Sequence, residues 1–588
     1  MRMLALALCA FAALTAPLAG QQTGVPAVPL TAGLTPEEAA LLVVPDSVRD
    51  EGGFLDDVVR LGGYATVTGE VYRAGRIEPR RPSSIWRMNS GATTSLFGGM
   101  SLGVDLVAST EGVDVRQNVN QLGLSPTWWW GGLSVGDFAM DYSPYVIQGT
   151  RVRGGGVQVD PGSFRVSAQG GRAERAEAAG GDPHQAFDRN MVAARGGVGR
   201  LDGSHLNMTL LKGWDTPTDR GLIAIDTLFL DTIPQDLRPQ IDTRPQESLV
   251  ASVDAGLRLL ADRVTLRGEV ATSLLTRDRE ASIVEDEGGV SGPGASLGGL
   301  TDVRVSTSLD HAYVGEAHLQ LGPGRVDGRY ERVGAGYGSL GLPYLMNDLR
   351  NWQVGGTYQA LQGRVALQGR YIDQTNNVES QRRNTVDRLT TQLSVAARPL
   401  DDVTATVSGM RATMQNDATD PAQRLDHVTH ALTTNLALRH DLFGLASSTS
   451  LSHGFQRTES EDAWIGASWI VTHSLGLAHN VRVGRSLSLA PSVAAVVTRG
   501  RGLEERRNLR LGFRGTGRFV DDRLRTSAAV THATSQGRDV FGAQGQLSYP
   551  VVWGTALSAQ FRHMRYTAMG QRPAFDETFM TFSLSRSF

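Results

Sequence analysis

The sequence predicts an all-β fold: a transmembrane, antiparallel, up-and-down β-barrel of about 26 strands (about 24–28) over residues 60–588. Three observations predict it. Apolar and polar residues alternate with a period of two along most of the chain, which gives strands one apolar and one polar face. Turn signals recur at a spacing that joins strands in pairs. No stretch reaches the roughly 18 consecutive apolar residues of a spanning helix, although the chain opens with the features of an export signal.

Residues 1–20, MRMLALALCAFAALTAPLAG, carry an early Arg2, an apolar core from Leu4 to Leu14 and small residues at the end. This is the pattern of a cleavable secretory signal peptide, with the cut after Ala19 or Gly20. Its apolar core is short for a membrane span, and Pro17 interrupts the end of it. Gln21 stands where a lipid-anchored protein would need cysteine. The single cysteine, Cys9, leaves with the signal, so no disulfide, thiolate metal site or covalently attached haem is expected. A net charge of −3 argues against a general nucleic-acid binder. Residues 21–59 form a lead-in with proline and acidic residues. Within it, TPEEAALLVVPDSV fits a short helix between Pro36 and Pro45, and no folded domain is expected there.

From Leu61 the period of two takes over. Val264, Leu266, Val270 and Leu274 alternate with Thr265, Arg267, Glu269 and Ser273. Val365, Leu367 and Tyr371 oppose Arg364, Gln368 and Arg370, and Leu509, Leu511 and Phe513 oppose Arg510, Arg514 and Arg518. A helix would scatter these residues around its circumference, whereas a strand sorts them. Short turns are predicted near Gly98-Gly99, Gly136-Asp137, Asp160-Pro161-Gly162, Asp202-Gly203, Ala261-Asp262 and Pro323-Gly324. They continue near Gln362-Gly363, Pro399-Leu400, His440-Asp441, Gly484, Asp521-Asp522 and Pro550. Proline fixes φ, glycine permits positive φ, and aspartate bonds to nearby backbone. Twelve such turns join twenty-four strands in pairs, and an opening strand near Leu61–Tyr72 and a closing strand near Phe575–Phe588 make 26. Between the short turns, longer polar loops are expected, the longest at about 215–246 and 277–303.

The closing stretch MTFSLSRSF places Met580, Phe582, Leu584 and Phe588 on one alternating face. It resembles the terminal signal by which outer-membrane β-barrels are recognised and inserted, with Arg586 departing from the usual apolar residue. The resemblance implies a Gram-negative envelope protein in the cell outer membrane, in contact with its lipids and its insertion machinery, with short periplasmic turns and a periplasmic lead-in. That lead-in is far too short for the plug domain of a TonB-dependent receptor. Trp128, Trp129, Trp130, Trp352 and Trp553 fall at or near predicted strand ends, where an aromatic belt at the headgroups would place them. A second resemblance rests on NQLGLSPTWWW and SPYVIQGTRVRGGGVQVDPGSFRVSAQGGR within 120–172, LLKGWDTP at 210–217 and GYGSLGLPYLMND at 336–348. These look like blocks of large exported barrel proteins of unassigned function. They imply the barrel and no particular substrate.

The charged faces supply the candidate functional residues. Arg267, Glu269, Asp327, Arg329, Glu331, Arg364, Arg370, Arg510, Arg514, Arg518, Arg525 and Arg562 are expected to line a wet lumen. Two readings of them stand side by side: a mixed-charge filter with a basic, anion-favouring stripe from Arg510 to Arg562, or arginines and acids paired across strands to stiffen a wide wall. No catalytic, cofactor or metal site is expected. Gly338-Ser339-Leu340-Gly341 has part of a nucleophile elbow, but Tyr337 takes the first glycine position and no strand-to-helix turn is predicted, so an outer loop fits it better. His427 and His430 are three apart, which puts them on opposite faces of a strand. The loop acids Asp226, Asp231, Asp236, Glu285, Asp286 and Glu287 lack the spacing of a calcium loop. Gly154-Gly155-Gly156 precedes no helix, so it forms no phosphate cradle.

The expected function is a porin-like or export channel with a polar lumen. The alternative is a structural sheath or docking barrel that houses or anchors a lumenal or periplasmic protein partner. A surface-anchored hydrolase is a third reading, and it lacks a catalytic constellation.

Overall fold

The computed structural model describes residues 59–588 apart from 98, 111–119, 176–186, 202, 218–243, 285–299, 463–465, 536–537, 553 and 571–572. The predicted signal peptide, the lead-in up to residue 58, Trp553 and the loop acids Asp226, Asp231, Asp236, Glu285, Asp286 and Glu287 lie outside the described residues.

One sheet of 26 strands forms the fold. The chain begins with β1 (Val59–Gly75), β2 (Ser84–Leu96), β3 (Met100–Ser109), β4 (Gln121–Trp128), β5 (Gly131–Met140), β6 (Thr150–Val159), β7 (Phe164–Glu174), β8 (Phe187–Gly199) and β9 (His205–Pro217). It continues with β10 (Glu247–Leu259), β11 (Val264–Thr276), β12 (Thr307–Leu321), β13 (Gly324–Val333), β14 (Leu349–Ala360), β15 (Val365–Asn376), β16 (Val386–Leu400) and β17 (Val403–Asn416). The last third contains β18 (Leu425–Leu442), β19 (Leu445–Asp462), β20 (Gly466–Val483), β21 (Leu487–Gly500), β22 (Leu503–Phe519), β23 (Leu524–Ser535), β24 (Arg538–Pro550), β25 (Thr555–Tyr566) and β26 (Phe575–Ser587). Sequential neighbours pair antiparallel, as β1 with β2 and β10 with β11 do. The sheet closes where β26 pairs with β1. A closed antiparallel barrel satisfies every strand's backbone polar groups without a free edge.

The strands divide into two compact units, Met1–Asp137 with Gly515–Val530 and Phe541–Phe588, and Phe138–Arg514 with Thr531–Val540. The first contains the closure. There Met580, Phe582 and Leu584 stand opposite Val71, Gly69 and Val67 of β1. Phe588 extends the pairing by one residue: its N–H donates to the Gly63 carbonyl at 3.0 Å, and its carbonyl accepts from Gly63 N–H at 2.8 Å. Arg586 is buried in this ladder, opposite Ala65 on one side and Thr555 on the other.

The second unit shows how the strand faces are used. On β11, Leu266 and Val270 are 38% and 57% exposed, while Glu269, Ala271 and Ser273, on the other face, are 6%, 0% and 0% exposed. On this strand apolar side chains therefore face outward and polar or small ones face inward, the reverse of a water-soluble fold. Such an arrangement suits a wall with lipid outside and a polar interior.

Two sequence expectations need correction. The turn placed at Gly136-Asp137 instead lies at Trp129-Trp130, between β4 and β5. Gly136 is inside β5 at φ +91°, and the Asp137 carboxylate accepts from Leu122 N–H at 2.9 Å, so the turn-like residues mark a local irregularity in the pairing. The regular alternation of short turns and longer loops also lapses between β19 and β24. β19 and β20 are separated only by 463–465, and β21 and β22 only by Arg501 and Gly502.

Candidate functional site

Two loops on the long-loop side of the second unit, 141–149 between β5 and β6 and 334–348 between β13 and β14, fold onto the inward face of the wall. Both carry unusual apolar content for barrel loops. Tyr145, Val146, Ile147, Tyr337 and Leu340 are buried in one cluster with Met191, Ala193, Leu211, Val250, Ala271, Ala312 and Val333 from the strands. The wall residues are mostly small or short, which leaves room for the loops' larger side chains.

The 141–149 loop is built on Ser143-Pro144. Ile147 N–H donates back to the Ser143 carbonyl at 3.1 Å, and the Ser143 hydroxyl oxygen accepts from Tyr145 N–H at 3.0 Å. That same hydroxyl donates to the Glu269 carboxylate of β11. The Tyr145 phenol donates to Glu331 Oε1 of β13 at 2.6 Å. Arg195 of β8 donates to the Tyr142 carbonyl and lies 5.1 Å from the centre of its ring. The buried Glu269 and the half-buried Glu331 of the wall thus hold the turn Ser143–Ile147, and Arg195 holds Tyr142 beside it.

The 334–348 loop binds both the wall and the first loop. The Ser273 hydroxyl donates to the Gly338 carbonyl, and the Ser248 hydroxyl accepts from Leu340 N–H at 3.1 Å. Asp310 accepts from Gly336 N–H at 2.6 Å. Toward the first loop, the Tyr337 phenol donates to the Tyr145 carbonyl at 2.8 Å and the Ser339 hydroxyl to the Val146 carbonyl at 2.6 Å. In return, the Thr150 hydroxyl donates to the Gly341 carbonyl at 2.7 Å. Ser339, the serine of the elbow-like motif, is therefore used to join the loops. Burial pushes the phenols of Tyr145 and Tyr337 well above the ordinary tyrosine range, and the bond to Glu331 pushes Tyr145 further.

These contacts join the blocks SPYVIQG, LLKGWDTP and GYGSLGLPYLMND. Gly213, from the middle block, lies directly beneath Leu340, and a β-carbon there would be 3.1 Å from Leu340 Cβ. Asp215, two residues on, receives a bidentate pair from Arg189 at 2.8 and 3.1 Å.

The candidate lumen charges fall into distinct settings. Glu269 and Glu331 lie beneath the loops and hold them. Arg329 stands opposite Glu316 in register, pairs with it, and also lies 3.3 Å from Glu331. Arg267 and Asp327 share their strands' inward faces with Glu269 and with Arg329. Arg370 donates to Gln353 at 2.9 Å. Arg364 is in the turn between β14 and β15 and pairs with Asp401 at 3.3 Å. Arg510 and Arg514 alternate with the exposed Leu509, Leu511 and Phe513 on β22, and Arg518 follows on the same face. Among the described residues, Arg510, Arg514, Arg518 and Arg525 have no ion-pair partner. Arg562 on β25 donates to the Met564 sulfur at 3.2 Å.

Of the aromatics, Trp128 ends β4, while Trp129 and Trp130 form the next turn and pack edge to face at 6.1 Å. Trp352 is on the outward face of β14, where its ring lies 4.2 Å from Tyr330, and Tyr330 lies 5.9 Å from Tyr313. Sequence reasoning did not single out Ser143, Tyr145, Arg195 or Ser248, and it placed Ser273 only on the polar face of its strand. The signal available was apolar side chains in loops otherwise expected to be polar.

No family model matches the chain, and no curated protein matches it in sequence. Among solved structures, the P pilus usher (PapC) translocation pore is similar at 11% identity and TM-score 0.37, over 90% of this chain and 100% of that one. The siderophore receptor PirA from Pseudomonas aeruginosa is similar at 11% identity and TM-score 0.38, over 90% and 80%. Pseudomonas aeruginosa OpdO is similar at 9% identity and TM-score 0.30, over 90% and 99%. Likenesses of this order carry no functional argument.

Proposed function

We propose that this chain is an outer-membrane β-barrel that forms a channel, with the 141–149 and 334–348 loops as a constriction built into its lumen. The observation that carries the reading is the inverted face pattern of the wall, apolar outward and polar or small inward on β11, with two loops anchored to the inner face. A closed hydrogen-bonded wall of this kind keeps its backbone satisfied in lipid and leaves a polar path through it. Solutes move passively, and the loops set the width available to them. Both ends of the ladder, Val59 and Ser587, are on the short-turn side, which in this reading faces the periplasm. The unpaired arginines of β22 and β23 favour anions.

Reconstitution into planar bilayers tests the proposal. The protein, shown folded by heat-modifiable migration, is expected to give discrete single-channel steps. A folded barrel with no conductance and a stoichiometric co-purifying protein would replace the channel with a sheath or docking barrel. Recovery of the whole chain as a soluble periplasmic protein would overturn the reading.

A further inference from the structure

The outward face of β17–β21 carries a row of three arginines and a histidine. In register, Arg411 of β17 stands opposite His430 of β18, and His430 opposite Arg457 of β19. Arg457 stands opposite Val471 of β20, and Val471 opposite Arg499 of β21. The row thus crosses five adjacent strands, a width of about 19 Å at roughly 4.8 Å per strand. Arg411, His430, Arg457 and Arg499 are all exposed. Arg499 pairs at 2.6 Å with Glu505 of β22, and Glu505 pairs at 2.6 Å with Arg507. Arg457 pairs with Glu459. Four arginines against two glutamates leave cationic charge in excess.

The height of the row indicates what it meets. Alternate outward residues of β21, from Leu487 through Leu489, Pro491, Val493 and Ala495 to Val497, are all apolar, and the next is Arg499. Ten residues at roughly 3.3 Å rise and about 40° tilt cover about 25 Å, the height of the apolar band of a membrane barrel. On β22, the outward Phe513, Leu511 and Leu509 likewise give way to Arg507. The cations stand at the first level above the hydrocarbon, at the long-loop ends of the strands. There the connection between β21 and β22 is only Arg501-Gly502. Trp469, exposed and in register with Glu459, adds an interfacial aromatic at the next level out.

We propose that this row is a binding face for the phosphate groups of an outer-leaflet glycolipid. The proposal rests on the membrane reading above, since it needs the long-loop ends to lie at the outer leaflet. Guanidinium groups fit phosphate with paired N–H donors, and a lipid seated on the apolar strand face below would bring its phosphates to this level. Arg457, Arg499 and Arg507 would exchange part of their bonding to the glutamates for bonding to phosphate.

The test uses the full-length protein in detergent, titrated with diphosphorylated lipid A, with the same lipid after removal of its phosphates, and with inorganic phosphate. The readouts are lipid retained in native mass spectrometry and the temperature at which the heat-modifiable band is lost. Lipid A is expected to bind and raise that temperature, while the dephosphorylated lipid and free phosphate do neither. The triple variant Arg457→Gln/Arg499→Gln/Arg507→Gln is expected to bind lipid A at least roughly tenfold more weakly, and the Arg→Lys triple to retain part of the binding. The lumenal pair Arg510→Gln/Arg514→Gln is expected to bind it normally. Should the triple variant not fold, single Arg457→Gln and Arg499→Gln variants carry the same test. A folded variant that keeps full lipid A binding, or equal binding of the dephosphorylated lipid, overturns the proposal. Absence of heat-modifiable migration in the unaltered protein would instead overturn the membrane reading.

Discussion

Gly341 shows how tightly the loops are joined. A β-carbon there would lie 2.8 Å from the Val146 carbonyl oxygen and 2.9 Å from Ile147 Cβ, so any side chain forces the loops apart. Gly341→Val is expected to raise single-channel conductance while the barrel still migrates as a folded, heat-modifiable species. Tyr145→Phe removes a bond from a phenol to a charged carboxylate, worth about 1.5–3 kcal/mol of loop docking, and is expected to increase the frequency of wider openings. The raised phenol pKa values have a sign that can be checked. The docked loops favour protonated Tyr145 and Tyr337, so docking is at full strength below the ordinary tyrosine pKa of about 10 and is lost as pH rises through the higher docked values. Conductance is therefore expected to be steady to about pH 10 and to climb above it, and a Tyr145→Phe/Tyr337→Phe variant is expected to lose that climb. None of this was legible residue by residue. Tyr145 and Tyr337 are 192 positions apart in sequence, and their partners are hydroxyls and backbone carbonyls that leave no local pattern.

At the scale of elements, the candidate lumen charges differ in their partners. On β12 and β13 the charges neutralise one another, as Arg329 with Glu316 does, and the wall gains cross-strand pairs. On β22, Arg510, Arg514 and Arg518 have no ion-pair partner among the described residues. Arg510→Gln/Arg514→Gln is expected to lower anion preference measured as reversal potential in a salt gradient. The paired change Arg329→Gln/Glu316→Gln is expected to leave it nearly unchanged. Strand existence and strand faces were legible because a period of two is a strong signal, and β11 follows the sequence pattern residue by residue. The turn at Trp129-Trp130 was missed because glycine and aspartate serve two purposes. At Gly136 they permit a distorted pairing inside a strand, and nothing local separates that from a turn. The short connections after β18 hold strands of 17 or 18 residues on β18, β19, β20 and β22, so residues expected in loops extend the sheet.

For the whole chain, the strand count and the closure could be read from the sequence because both follow from one requirement. A membrane wall made of strands can have no free edge, so an opening strand near Leu61 and a closing strand at Phe575–Phe588 must find each other. Removing Met580–Phe588 would strip β1 and β25 of most of their shared partner. The shortened chain is expected to yield no heat-modifiable species and to remain in aggregates. What no local pattern could show is that the second unit's wall is lined unevenly. β10, β11 and β12 have loops packed against their inner face, whereas β18, β19 and β20 present rows of serine and threonine there. That difference should appear in time. Ladder amides beneath the loops are shielded on both faces and should exchange their hydrogens for deuterium slowly, while those of β18–β20 face water on one side and should exchange sooner. On this view the two loops also act as a clamp. When denaturant loosens the wall, the strands they grip should be the last to part.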